Sequence, residues 1–290
     1  MPLCISFFVL YSVFFFNFCH ENLKIAYTNI MKKEYILFID SGIGGLSTLA
    51  ETYKIVPAEF IYFADNKNQP YGSHTKKEIV SFLSKIIDFV RQKFSVKIVV
   101  LACNTATTSA IETLRKFYPD ICFVGTEPAI KHAHDLGFKN ILVLSTPATA
   151  KQKKYKDLLC SFSCDNIKTL ALDDFAQNIE CFYHASSPKY NIKLLKNLFD
   201  IKSASKNYDA VVLGCTHYCL LKNRIQSMTN LPIICGNLGV SRCVLTKYRA
   251  LFDQNSATNC NSNVIFMFSM PIKQTEQKYI KIFGQILANS

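Results

Sequence analysis

The chain has 290 residues, is 49% hydrophobic and carries 23 Phe and 14 Tyr. It can bury far more apolar surface than a disordered segment or a disulfide-stapled miniprotein, and both are excluded. Thirty-three Lys plus Arg against 21 Asp plus Glu leave a charge of +12, which favours anionic partners, whether a carboxylate metabolite or nucleic acid.

Residues 1–30 are apolar, with Glu21 and Lys24 as their only formal charges, so the whole +12 belongs to residues 31–290. They contain no Lys or Arg before Lys24 and no small-residue cleavage pattern, which argues against a signal peptide or a membrane anchor. Met31 opens MKKEYILFIDSG, which reads as the natural start of a soluble domain; residues 1–30 are expected to be upstream sequence outside the fold.

Beyond Met31, short β-branched and aromatic runs alternate with segments of helical period, the pattern of βα units and parallel sheets. Strands are predicted at 36–40, 60–64, 97–101, 121–124, 141–144, 167–172, 210–213, 231–235 and 264–268, too many for one small sheet. Ile79, Phe82, Leu83, Ile86, Val90 and Phe94 recur at helix spacing. Thr126-Glu127-Pro128 followed by Gly137 predicts a helix with a cap, a first-turn Pro and a terminal Gly.

An internal repeat organises these elements. KIVVLACNT at 97–105 matches DAVVLGCTH at 209–217, and YILFIDSG at 35–42 matches NILVLSTP at 140–147. The expected fold is α/β: two pseudo-symmetric, doubly wound domains facing a shared cleft at the carboxyl ends of their strands. The first spans 31–126, with 235–290 returning to it, and the second spans 127–234.

The repeat sets Cys103 and Cys215 at equivalent strand ends, each before a helix expected to be capped by Asn104 or Thr105 in one half and by Thr216 in the other. A helix N-terminus favours the thiolate. One such Cys is ordinarily an inert core thiol, but two in matched settings point to a base or nucleophile on either side of the cleft. The other cysteines are scattered singly without a CxxC pair, so they read as reduced core residues, and no structural metal site is expected. Asp40 ends a buried strand, where a carboxylate needs a partner or a role. The turn after it, Ser41-Gly42-Ile43-Gly44-Gly45, lets backbone approach a ligand, yet Ser47 breaks the GxGxxG pattern and no P-loop occurs. Gln69-Pro70-Tyr71-Gly72 reads in isolation as a turn, His217 as a helix-start residue able to orient a substrate group, and the lysine-rich run at 151–156 as a solvated surface. No cysteine-protease triad is apparent.

Taken together, FIDSGIGGLSTL (38–49), ADNKNQPYG (64–72), LACNTATTSA (101–110), VGTEPAIKHA (124–133), LSTPATAKQKKY (144–155) and LGCTHYCLL (213–221) resemble the signatures of the glutamate racemase family, in its order. The resemblance covers roughly residues 35–290. It implies a cofactor-independent, cytoplasmic isomerase of peptidoglycan synthesis, with glutamate as its small-molecule substrate and two bases acting on Cα. No nucleic-acid or membrane partner is expected, and a homodimer is. By the same resemblance Cys103 and Cys215 are the bases, assisted by Asp40 and His217 respectively. Ser41, Pro70, Tyr71, Gly72, Asn104, Thr105, Thr146, Thr149 and Thr216, together with Asp40 and His217, hold the substrate.

Departures from the family pattern are local. LDDFAQNIE at 172–180 offers Glu180 as the second auxiliary carboxylate without the usual Cys-Pro ahead of it; Cys219 stands where Pro is usual, Gly236-Asn237 where Asp-Ser is common, and Ala148 for a frequent Gly. Two rivals share the fold: an aspartate racemase, against which GCTH rather than GCTE argues, and a non-catalytic binding relative, against which the joint presence of both thiols and Asp40 argues.

Overall fold

The computed structural model describes residues 33–162, 166–185, 188–252, 262–270 and 275–289. The apolar stretch 1–30 lies outside them, as do Cys164 and Cys260. Within them the chain runs β1 (Glu34–Asp40), α1 (Leu46–Ile55), β2 (Glu59–Ala64), a 3-10 turn (Tyr71–Ser73), α2 (Lys76–Arg91), β3 (Ser95–Leu101), α3 (Asn104–Phe117) and β4 (Cys122–Gly125). It continues as α4 (Ile130–Asp135), β5 (Asn140–Ser145), α5 (Pro147–Lys151), α6 (Lys153–Cys160), β6 (Asn166–Ala171), α7 (Phe175–Ala185), α8 (Pro188–Ala204), β7 (Ala210–Leu213), α9 (Thr216–Cys219), α10 (Lys222–Thr229) and β8 (Ile233–Cys235). The last described elements are α11 (Asn237–Leu251), β9 (Val264–Phe268) and α12 (Thr275–Asn289). Among them, no helix is long and apolar enough to cross a membrane.

The strands form two parallel sheets, in the orders β4-β3-β1-β2-β9 and β6-β5-β7-β8. Alternation along β1 divides the first core, because Tyr35, Leu37 and Ile39 pack under α2 and α3 while Ile36 and Phe38 pack under α1, α11 and α12. The second sheet repeats this: Leu142 and Leu144 face α7, α8 and α10, and Ile141 and Val143 face α4 and α6. Both sheets are therefore covered on two faces, as parallel sheets require.

The repeat is topological as well as sequential. Four strands of the first sheet, β4-β3-β1-β2, map onto β8-β7-β5-β6. Register follows: Ile39 pairs with Leu101, and its counterpart Leu144 pairs with Leu213. Beyond the pairs, Ala102 N–H donates to Ile39 O at 2.9 Å and Gly214 N–H to Leu144 O at 2.7 Å. Each thiol thus follows the same strand, in the same register, beside an equivalent central strand.

One helix start differs from expectation. Thr126-Glu127-Pro128 does not open α4; Ala129 stands at its N-cap, and Gly137, at φ +89°, closes it as predicted. Thr126 is held outside the helix, its N–H donating to Thr107 Oγ1 at 3.0 Å, a tertiary bond that local capping rules do not contain. The change at 236–237 is structural. Asn237 Oδ1 accepts from Thr48 Oγ1 at 3.0 Å and Ser241 Oγ meets Thr52 Oγ1 at 2.9 Å, so buried polar pairs fasten α11 to α1.

Candidate active site

The site forms where the carboxyl ends of β1, β3, β5 and β7 converge. Cys103 and Cys215 themselves occupy the N-caps of α3 and α9, in extended conformation and without a side-chain capping bond. The expected caps Asn104, Thr105 and Thr216 therefore lie inside the first turn, corrected by one or two positions. Freed from capping, the Thr105 and Thr216 side chains point to other partners.

Those partners lie in the opposite half, and reciprocally so. Thr105 Oγ1, beside the first thiol, meets Thr149 Oγ1 of the second half at 3.2 Å; Thr149 in turn accepts from Thr146 Oγ1 at 3.1 Å, while Thr146 caps α5. Thr216 Oγ1, beside the second thiol, donates to Asp40 Oδ2 of the first half at 3.3 Å. Each thiol-bearing helix start touches the turn that follows the other half's central strand.

The glycine turn makes this approach possible. A Cβ on Gly44 would stand 2.5 Å from His217 Nδ1 and 2.7 Å from Thr216 Oγ1, and one on Gly42 would stand 2.5 Å from Glu180 Oε2. Any side chain at either position would displace a site residue.

Two acid–base clusters result. At Cys103, Asp40 is fully buried, accepts from Gly42 N–H at 2.8 Å, and has its carboxyl pushed up to about 6, mainly by burial, against the pull of His217 and Gly42. Burial and then Asp40 push the Cys103 thiol well above its ordinary value, although the Thr105 and Ala106 amides point at it. The sequence expectation of a thiolate-favouring helix start is thus reversed at Cys103. Its dipole is real, but loss of water and a neighbouring carboxylate outweigh it.

At Cys215, His217 Nε2 bonds Glu180 Oε2 at 2.7 Å, and Glu180 also accepts from Ile43 N–H at 3.0 Å and pairs through Oε1 with His184 Nε2 at 3.0 Å. Burial raises the Glu180 carboxyl, yet His184, His217 and Ile43 together bring it down to about 2. Burial opposes the charge on His217, but hydrogen bonds to Cys215 and Glu180 outweigh it and hold the ring protonated well above the usual range. A carboxylate–imidazolium pair thus sits against the second thiol, and Cys215 adds to the rise at Cys103.

Of the sequence-predicted residues, Asp40, Ser41, Asn104, Thr105, Thr149, Thr216, His217 and Cys215 are buried together here, while Cys103 and Thr146 are partly exposed. Asn104 Nδ2 is buried with no acceptor. Tyr71 is buried but gives its hydroxyl to Asp65 at 2.8 Å; Pro70 and Gly72 are exposed, with Gly72 against Ala148 of the second half. Sequence reasoning missed three supports: Asp65, one residue past the end of β2; Tyr62, whose hydroxyl donates to Gly42 O at 2.7 Å; and His184, one helical turn from Glu180. The i,i+4 spacing of Glu180 and His184 was the available signal for the last. A cavity of about 1020 Å³ lined by Arg115, Lys131, His132, Lys154 and Lys247, among others, includes none of the site side chains.

The two sheets, with paired thiols at their facing ends, define an α/β racemase. The Asp/Glu/hydantoin racemase family model matches residues 44–239, and the chain belongs to that family; it is an isomerase of the amino-acid racemase type. A glutamate racemase of Clostridium novyi (strain NT) is 40% identical over 209 residues, 70% of this chain and 79% of that protein. Among solved structures, Escherichia coli glutamate racemase in complex with L-glutamate and the activator UDP-MurNAc-Ala aligns with a TM-score of 0.71 at 26% identity, covering 88% of this chain and 95% of that one. Bacillus anthracis glutamate racemase isoform RacE1 aligns at 0.72 and 23% identity over 88% and 94%, a likeness of fold.

Proposed function

We propose that the chain interconverts L- and D-glutamate in the cytoplasm, as a homodimer, supplying D-glutamate for peptidoglycan. Two domains, 31–126 completed by 235–290 and 127–234, would close on the substrate. Removing the α-proton on one face of Cα and returning one on the other requires two groups with exchangeable roles. The observation that carries the reading is the equivalence of Cys103 and Cys215: same register, same helix position, opposite halves.

In one direction Cys215 acts as the thiolate paired with the His217 imidazolium and takes the α-proton from one face of Cα, while the Cys103 thiol gives its proton to the opposite face. In reverse, Cys103 is the base, and Asp40, with its carboxyl near 6, receives its proton. Glu180 orients His217 and stays ionised. The Asn104 amide, lacking an acceptor, and the threonines around it are donors for the substrate carboxylates. Burial of these groups excludes water from the carbanion-like transition state.

The test is α-proton exchange of L- and D-glutamate in heavy water, read by NMR and circular dichroism with no cofactor added. Wild type should racemise with deuterium entering Cα, and Cys103→Ala and Cys215→Ala should each abolish racemisation. Turnover of aspartate but not glutamate would reassign the substrate; silence on both would make the chain a binding relative of the family.

A further inference from the structure

His184 takes no part in the proton transfers above, yet it holds one side of the carboxylate beside them. Glu180 Oε2 serves His217 Nε2 at 2.7 Å and the Ile43 N–H at 3.0 Å, while Oε1 meets His184 Nε2 at 3.0 Å. An ionised carboxylate only accepts, so the Nε2 proton sits on His184 and points at Oε1. Glu180 is buried, and an oxygen that lost this donor would be left unsatisfied. His184 is itself held from the other half of the molecule. It lies in the last turn of α7; Lys278 Nζ of α12 donates to its backbone O at 3.1 Å, and the Tyr279 ring of α12 stands 5.7 Å from its imidazole, inclined at 38°. Tyr279 lies in turn 6.1 Å from the ring of Tyr62, which anchors the glycine turn through Gly42 O. The Tyr279 hydroxyl is buried and finds no hydrogen-bond partner among the described residues, so what it gives His184 is the packing of its ring.

We propose that His184 is a positioning residue for the reaction: by donating to Glu180 Oε1 it fixes the carboxylate that keeps His217 protonated and in place two residues after Cys215. A buried carboxylate beside an imidazole can hold the shared proton in two ways, as an ion pair or as a neutral acid next to a neutral ring. Burial favours the neutral form, and donors to the carboxylate favour the ion pair. At Glu180 burial pushes the carboxyl up, and the His184 bond is the largest of the pulls that bring it down to about 2. Without that donor the proton moves toward Glu180, and the His217 ring loses the charge that balances a Cys215 thiolate. Through Lys278 and Tyr279, the last helix of the first half thus sets the acid–base partner of the second half's thiol. The consequence for turnover rests on the function proposed above; the hold on Glu180 and His217 does not.

The experiment compares His184→Gln with His184→Asn in the full chain. A Gln amide can stand where the His184 Nε2 stands, whereas an Asn amide falls short of Glu180. His184→Asn should lower kcat about 10-fold and leave KM for glutamate within about 2-fold, and His184→Gln should restore most of the loss. In the Glu180→Gln background, where the anion that His184 serves is gone, adding His184→Asn should change kcat by less than about 2-fold. The Cys215 thiolate is read without any substrate, from its rate of alkylation by iodoacetamide mapped by mass spectrometry; His184→Asn should slow it about 10-fold and His184→Gln should bring it back. Alkylation unchanged in His184→Asn overturns the proposal whatever the substrate. So does a kcat loss that His184→Gln does not restore, a rise in KM that accounts for the loss, or an equal loss on top of Glu180→Gln. A wild type silent on glutamate, with alkylation slowed in His184→Asn alone, counts against the proposed substrate and not against His184.

Discussion

Asp40 joins function and instability in one residue. Its carboxyl is fully buried, and its folded value of about 6 lies above the ordinary 3.8. A raised acid favours the folded state below 3.8 and withdraws that support as pH climbs through 6, so at neutral pH the ionised group is a burden on the fold. Asp40→Asn should therefore be more stable than wild type near pH 7.5 by about 2 kcal/mol, with the gain vanishing near pH 4. The same change removes the proton carrier at Cys103 and should slow racemisation by about 10²- to 10⁴-fold. Thermal melts at the two pH values beside a racemisation assay check both halves; a gain over wild type no larger near pH 7.5 than near pH 4 would show that Asp40 is not held as a costly anion.

At the scale of elements, the glycine turn between β1 and α1 works by having no side chains where the second half presses on it. Gly44→Ala puts a methyl within 2.5 Å of His217 Nδ1 and 2.8 Å of its backbone N, contacts that require α9 to move. Racemisation should fall by 10²-fold or more, since a shift of about 1 Å suffices, while the sheets stay folded. Kinetics together with far-UV circular dichroism test it; full activity would mean that α9 is more compliant than its contacts imply. By contrast, the capping box of α2, Thr75 with Glu78, lies apart from the site. Thr75→Ala should cost about 1 kcal/mol in a denaturant melt and leave turnover unchanged.

For the whole molecule, Glu180 is the acid-labile clasp between the halves, since it accepts from Ile43 of one and bonds His217 of the other. Its folded value of about 2 lies below the ordinary 4.5, so its contribution is present above 4.5 and lost as pH falls toward 2. His217 runs the other way: its contribution is full below 6.5 and is lost as pH rises through its raised folded value. Glu180→Gln should destabilise the chain by about 3 kcal/mol at neutral pH. That deficit should shrink steadily as pH is lowered from 4.5 toward 2 in parallel melts; a constant deficit would assign the loss to packing.

How much could be read beforehand follows from which interactions are local. The alternating strand and helix patterns, the internal repeat, both thiols and the family resemblance are written in contiguous runs such as KIVVLACNT and DAVVLGCTH, because strand burial and turn chemistry act over a few residues. Tertiary structure alone decided that Asn104, Thr105 and Thr216 are not caps, that Thr126 is held by Thr107 instead of starting α4, and that the Cys103 thiol is raised. These outcomes depend on groups distant in sequence that exclude water from one another, and desolvation is a property of the assembled neighbourhood, not of any segment that enters it.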